Sequence, residues 1–247
     1  MRRFFVRSED IGNTALRLRS DEADHLARVL RLAPGAQIVA FDGHGHEYIV
    51  LVERLESDGV VCQILHHSTS LPAHMLSITL GQGLPKAEKF EWVIQKATEL
   101  GVSEIVPVIT DRVVPRIALR QLPAKAGRWE KLAREACKQS GRATMPHLWP
   151  PTPLDSFFAA TQSAELKLML WEGEDKQLLR AVLTAAERAA SVAVLVGPEG
   201  GLTAHAVVRG EGYGLRVVGL GKRVLRTETA GMIAVAILQY QFGDLGA

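Results

Sequence analysis

The sequence predicts an α/β protein in two parts, a small β-barrel followed by a larger domain built on a parallel sheet. Three observations carry this. Residues 1–70 hold short strand-like runs separated by glycine turns, with one helical stretch among them. Residues 74–247 alternate short apolar runs with helical patterns, as βαβ units do. Two glycine-punctuated turns, at 194–201 and 220–230, each close an apolar run and each lead into a helical pattern.

After an opening strand, residues 21–32 read as a short helix with Leu26, Val29 and Leu30 on one side, stopped at Pro34-Gly35. Strand-like runs follow at 37–41, 47–54 and 59–66. Asp42-Gly43-His44-Gly45 and Ser57-Asp58-Gly59 break them with hairpin chemistry. Ser68-Thr69-Ser70-Leu71-Pro72 reads as a linker. In the second domain the strands are expected at 76–80, 104–109, 166–170, 192–196 and 216–220. Helices are expected at 86–100, 124–139 and 176–189, briefly after Leu202, and at 227–242. Phe90, Val93, Ile94, Ala97 and Leu100 keep helical spacing, and Gly101 supplies the stop.

A chain of 247 residues with 47% hydrophobic and 23% charged residues can bury a real core. No apolar stretch approaches the roughly 20 residues of a spanning helix. The start soon meets Arg7, Glu9 and Asp10, so it lacks the apolar heart of a secretion signal. Cys62 and Cys137 lie far apart without a C-x-x-C, which suggests neither a disulfide framework nor a metal cage, and a reduced cytoplasm is expected. His44 and His46 share a hairpin tip without further ligands, so no metal is expected.

Net charge is only +2, but its distribution is uneven. Nine basic residues fall between Arg112 and Arg142 (with Arg116, Arg120, Lys125, Arg128, Lys131, Arg134 and Lys138 between them) against Glu130 and Glu135. At about 100° per residue, Lys131, Arg134, Lys138 and Arg142 fall within a sector of roughly 80°, nearly opposite Trp129, Leu132, Ala136 and Ser140. A face of cations opposite a packing face suits docking onto phosphates; a merely solvated helix face is the plainer alternative.

Open α/β sheets bind ligands beyond the carboxyl ends of their strands, which places a small-molecule pocket at the two glycine turns. Gly197, Gly200, Gly201 and Gly221 would let backbone groups approach a ligand that a Cβ would keep away.

The ordered motifs resemble the ribosomal RNA uracil-N3 methyltransferases of the small subunit, the RsmE type within the knotted SPOUT superfamily. The resemblance runs nearly end to end. It is carried by His25-Leu26-Ala27-Arg28-Val29-Leu30-Arg31 and Phe41-Asp42-Gly43, then Lys96-Ala97-Thr98-Glu99-Leu100-Gly101-Val102 and Asp111-Arg112-Val113-Val114. Gln139-Ser140-Gly141-Arg142, Gly197-Pro198-Glu199-Gly200-Gly201, Leu220-Gly221, Val224-Leu225-Arg226-Thr227-Glu228-Thr229-Ala230 and Phe242-Gly243-Asp244-Leu245 complete it. Leu202 stands where an aromatic is frequent, and Lys222 where proline is frequent.

The resemblance implies a PUA-like RNA-binding barrel at 1–70 and a SPOUT domain at 74–247 whose last turns thread a trefoil knot. It implies S-adenosylmethionine as methyl donor and small-subunit ribosomal RNA, or the assembled 30S subunit, as partner. A homodimer is implied too, each RNA site drawing on both subunits. The helical pattern holding Ile233, Ala234, Val235, Ile237 and Leu238 suits either an interface or a monomer core. Leu170, Leu202, Leu220, Val224 and Leu225 would wall the adenine, with the turn glycines, Glu199 and Thr227 around the cofactor.

Uracil N3 carries a proton at neutral pH, so a catalyst must remove it or stabilise the charge that its loss leaves. Arg226 can donate two hydrogen bonds to a uracil oxygen. Glu228 is the nearest carboxylate to take the proton, and Glu199 is a second candidate. The plainer reading makes Thr227 a helix cap and Glu228 a first-turn acid favoured by the helix dipole. Arg223 would hold phosphate or face solvent. Arg2, Arg3, Arg28 and Arg31 would grip RNA together with Arg112, Lys131, Arg134, Lys138 and Arg142. Phe4 or Phe5 would stack a base or pack in the core, and His25 reads as structural. The rivals are a ribose 2′-O-methyltransferase of the same superfamily and a non-catalytic RNA-binding protein of ribosome assembly.

Overall fold

The computed structural model describes residues 1–69, 76–85, 88–112, 116–173 and 176–246, without the side chains of 88 and 116–124. The linker at 70–72, the domain start at 74, the helix start at Lys86, Val113-Val114 and the side chains of Arg116 and Arg120 lie outside the described residues. The chain divides into two units, Met1–Pro72 with Arg134–Met145, and Ala73–Ala133 with Pro146–Ala247.

The first unit is a five-stranded sheet in the order β1-β3-β4-β5-β2. The strands are β1 (Arg3–Phe5), β2 (Ala15–Leu18), β3 (Gln37–Phe41), β4 (His46–Glu56) and β5 (Gly59–Thr69). β1 runs parallel to β3 and the other pairs are antiparallel. Phe4, Leu18, Leu26, Ile38, Val50 and Val52 fill its core, so Phe4 packs inward. The hairpin after β3 forms as its sequence predicts: the Asp42 carboxylate accepts the N–H groups of His44 and His46 at 2.7 and 3.1 Å. β2 went unforeseen because its four residues are too short to show a period.

The helix expected over 21–32 is shorter. α1 (Ser20–Asp24) passes into a π-helical turn at His25–Val29, and Arg31 adopts a left-handed φ of +51°. That backbone reversal, not Pro34-Gly35, ends it. His25 meets the Phe4 ring edge-on, a structural contact as expected.

The second unit is an eight-stranded sheet of parallel pairs in the order β11-β13-β10-β12-β6-β7-β8, with β9 also pairing β7. In chain order come β6 (Ser77–Gly83), α2 (Glu88–Glu99), β7 (Glu104–Ile109), α3 (Arg116–Ser140), β8 (His147–Leu148), β9 (Thr152–Pro153), α4 (Leu154–Ala160) and β10 (Leu166–Leu170). Then follow β11 (Gln177–Leu178), α5 (Leu179–Ala186), β12 (Ser191–Val196), α6 (Ala204–Gly212), β13 (Arg216–Gly219) and α7 (Thr227–Phe242). The five strongly apolar strands were legible because a parallel sheet buries both faces. α4 was not, though Leu154, Phe157 and Phe158 are buried: seven residues give under two turns of pattern. The start of the expected helix at 176–189 is spent on β11 at the sheet edge.

Residues 134–145, which a linear reading places in the second domain, pack in the first unit. Cys137 and Ala143 join Phe41, with Phe5 and Met145 against them, and Thr144 bridges to Gly43 and His44. Among the described residues no helix is long and apolar enough to cross a membrane.

Candidate active site

The carboxyl ends of β6, β12, β10 and β13 point the same way because their pairings are parallel. Beyond them the turn after β12 and the loop between β13 and α7 enclose an open cleft of about 400 Å³. That volume suits a nucleoside-sized ligand. Two glycines make the shape possible. Gly221 has φ +117° with nothing within 4 Å of where a Cβ would stand, so the loop can turn without a side chain entering the cleft. At Gly83, ending β6, a Cβ would lie 2.6 Å from the Pro198 nitrogen, so only glycine lets that strand end meet the turn after β12.

The cleft brings together Leu170, Gly197, Glu199, Gly201, Leu220, Gly221, Val224, Leu225, Arg226 and Thr227. Four expectations change. Gly200 does not line the cleft; its carbonyl accepts a hydrogen bond from Arg112 at 2.5 Å. Leu202 is buried behind the turn, in the cluster of Phe157, Phe158 and Met169, which is why an aliphatic side chain serves there. Val224 lines the cleft only at its rim, the residue 82% exposed, so it encloses an adenine poorly. Glu228 lies outside the lining, its side chain only 15% exposed and its Oε2 buried without a hydrogen-bond partner.

Thr227 is not the helix cap. Arg226 occupies that position without a capping side chain, which leaves its guanidinium exposed at the cleft. The Thr227 hydroxyl instead donates to the Gly197 carbonyl and accepts from Gln82 Nε2 at 2.7 Å. One buried hydroxyl thus ties the ends of β6 and β12 to the start of α7.

Gln82 and Lys89 were missed. Gln82 is fully buried, with Oε1 unpaired. The available signal was a polar residue at the carboxyl end of an apolar strand, where the ligand crevice lies. Lys89 lines the cleft with Nζ 3.4 Å from Glu199 Oε1 and 3.5 Å from Glu228 Oε2. Its place six residues after that strand, near the start of the expected helix, was the hint available.

The cation ladder is corrected as well. Arg134 lies over the Phe5 ring at 4.2 Å. Lys138 pairs with Glu22 at 3.1 Å, their side chains 12% and 8% exposed, and with Glu135. Arg3 pairs with Glu47, donates to the Arg142 carbonyl and lies over Phe41. All three have partners within the first unit, and for Arg134 and Lys138 a 3.6-residue period could not tell a solvated face from one covered by another part of the chain. Arg2, Arg28, Arg31, Arg112 and Lys131 are exposed, and Arg142 is half-buried.

A parallel-sheet domain with a nucleoside-sized cleft at its strand ends, preceded by a small β-domain, fits the RNA methyltransferase class that the sequence motifs resemble. Comparison with known proteins agrees. A family model for an RNA methyltransferase domain matches residues 72–239, and one for an RNA methyltransferase PUA domain matches residues 18–65. Ribosomal RNA small subunit methyltransferase E of Bacillus subtilis is 30% identical over 225 residues, covering 90% of this chain and 88% of that one. Its namesake in Mycobacterium tuberculosis is 32% identical over 230 residues, covering 92% and 86%. A methyltransferase of Legionella pneumophila solved with SAM bound superposes with a TM-score of 0.88 at 33% identity over 98% of both chains. The Neisseria gonorrhoeae methyltransferase E bound to S-adenosyl methionine gives 0.85 at 31% over 99% of both. The chain belongs to the ribosomal RNA small subunit methyltransferase E family.

Proposed function

We propose that this chain methylates N3 of a uridine in 16S ribosomal RNA, with S-adenosylmethionine held in the cleft of the second unit. The observation that carries the reading is the cleft itself, built from main chain at the two turns and edged by Arg226 and a lysine between two carboxylates. Leu170, Leu220 and Leu225 offer apolar walls for an adenine. The turn backbone at Gly197, Gly201 and Gly221 offers donors and acceptors to the rest of the donor.

When bound, S-adenosylmethionine supplies a methyl carbon on a sulfonium, whose C–S bond breaks with its electron pair left on sulfur. The protein's part is to orient the base and manage one proton. Arg226 donates to a uracil oxygen and stabilises the negative charge that grows there. A carboxylate of the cleft takes the N3 proton. Arg2, Arg28, Arg31, Arg112 and Lys131 are the exposed cations that support an RNA grip.

The same reading includes the knotted path that the family resemblance implies, and a cytoplasmic site, where ribosomal RNA is. It includes a homodimer, supported by the exposed Ile233, Ile237 and Tyr240 of α7.

The test is mass spectrometry of ribosomal RNA from cells with and without the protein, with calorimetry of S-adenosylmethionine on the pure chain. One missing N3-methyl group and measurable binding are expected. A missing methyl that confers resistance to alkaline hydrolysis would mark a ribose 2′-O-methyltransferase. No binding would mark a non-catalytic RNA-binding protein.

A further inference from the structure

Lys89 shares one ammonium between two carboxylates, and that sharing sets where a proton can go. Both distances, 3.4 Å to Glu199 and 3.5 Å to Glu228, exceed the 2.7–2.9 Å of a tight charge-assisted hydrogen bond. The three groups together carry one net negative charge. Glu199 lines the cleft with its side chain 30% exposed; Glu228 lies outside the lining with Oε2 shut from solvent and lacking a hydrogen-bond donor. The remaining charged groups of the cleft are Glu172, Lys176, Lys222, Arg223 and Arg226. Lys176 is committed to the carbonyls of Glu172 and Gly173. Farther along α2, Lys96 is paired with Glu99.

We propose that Lys89, Glu199 and Glu228 act as one proton-accepting unit, in which Glu199 takes the N3 proton and Lys89 then closes onto Glu228. The inference rests on the function proposed above. The N3–H bond breaks, the proton passes to a Glu199 carboxylate oxygen, and the electron pair stays on N3 to form the bond to the methyl carbon. Protonated Glu199 no longer holds the ammonium. Lys89 then has a single carboxylate to pair with, and the orphaned Oε2 of Glu228 gains its donor. The proton leaves Glu199 for solvent through the open cleft. Glu199 is the catalytic residue here; Lys89 and Glu228 are positioning residues that set its basicity.

The unit makes opposite demands on two variants, which a merely structural role would not. Lys89→Ala removes the cation 3.4 Å from Glu199, so the carboxyl signal of Glu199 moves to higher pH, since an opposite charge this close favours the ionised form. Glu228→Gln removes the competitor, so Lys89 pairs with Glu199 alone and its titration moves down. Carboxyl carbon NMR of the ligand-free protein reads both shifts, with Glu199→Gln assigning the signal. In steady-state assays the acidic limb of kcat moves up with Lys89→Ala and down with Glu228→Gln. Lys89→Arg keeps the wild-type profile, and in Lys89→Ala the Kd for S-adenosylmethionine rises far less than the rate falls.

Shifts of Glu199 in the same direction, or none, overturn the proposal, as does a wild-type transfer rate in Glu199→Gln. A loss of cofactor affinity matching the loss of rate in Lys89→Ala overturns it too, by making Lys89 a cofactor ligand. If both titration shifts appear but the unaltered protein methylates no ribosomal RNA, the functional reading has failed. The proposal then falls with it, because Glu199 has no N3 proton to take.

Discussion

Arg226 is held where its charge is most useful and least committed. It stands at the first position before α7 with extended backbone, and no side-chain cap ties it to the helix. Replacing it by alanine is expected to lower transfer at least 100-fold, the scale of removing one donor to a developing oxyanion. The Kd for S-adenosylmethionine, read by calorimetry, should change less than threefold; an equal loss of affinity would move Arg226 into the cofactor's surroundings. The two thiols are the contrasting case. Burial pushes Cys62 up to about 12 and Cys137 up to about 11. The raised values favour the neutral thiol in the fold, so their contribution to stability is whole below pH 8.5 and fades above it as unfolded thiols ionise. At pH 8 the folded protein should react with iodoacetamide far more slowly than the urea-unfolded chain; equal rates would mean the thiols are open. Most of the site was legible at this scale, because glycines at strand ends and a lone arginine before a helix announce themselves. Lys89 and Gln82 were not. Their roles come from partners more than a hundred residues away, Glu228 and Thr227, and only folding reveals such pairings.

At the scale of elements, α3 shows why a correct helix can carry a wrong inference. Its period places Lys131, Arg134 and Lys138 on one face, as the angles require. That face is nonetheless spoken for at its far end, where Arg134 rests on Phe5 and Lys138 is enclosed by Glu22 and Glu135. Two lysines about two turns apart should therefore behave differently. Lys138→Ala leaves Glu22 buried and unpaired, and breaking a buried pair costs about 3 kcal/mol, measurable by urea unfolding. Lys131→Ala should cost under about 0.5 kcal/mol, as an exposed substitution does. The order reverses for RNA: Lys131→Ala should reduce the salt slope of binding by about one, while Lys138→Ala leaves the slope alone. Equal slopes for the two variants would return Lys131 to a solvated face. The same contrast explains what was legible in the fold. β7, β10 and α7 match their expected bounds because strongly apolar runs decide them locally. α4, β8, β9 and β11 are two to seven residues long and exist because of neighbours already in place.

At the scale of the whole molecule, α7 is apolar on more sides than one chain needs. Met232, Val235 and Leu238 are buried, yet Ile233, Ile237 and Tyr240 remain 42%, 36% and 70% exposed. The exposed three stand four and three residues apart, which is one stripe along the helix. Trp92 on α2, which packs beside α7, is 41% exposed as well. A helix that is hydrophobic all round is normally buried, and contiguous apolar surface of this kind marks an interaction site. A second copy of the chain is the partner proposed here, meeting α7 stripe to stripe in the self-complementary manner of a two-fold dimer. Sedimentation equilibrium at micromolar concentration should give twice the 26.9 kDa chain mass. Ile237→Glu places a charge in the stripe without disturbing the buried face, and should shift the protein to monomer while its unfolding midpoint falls only by what dimer dissociation removes. If each RNA site draws on both subunits, that variant also loses transfer while a mixture with Arg226→Ala chains recovers none. A wild-type protein that sediments as a monomer, with Ile237→Glu as active as its parent, would leave the stripe as exposed surface and confine the whole reaction to one chain.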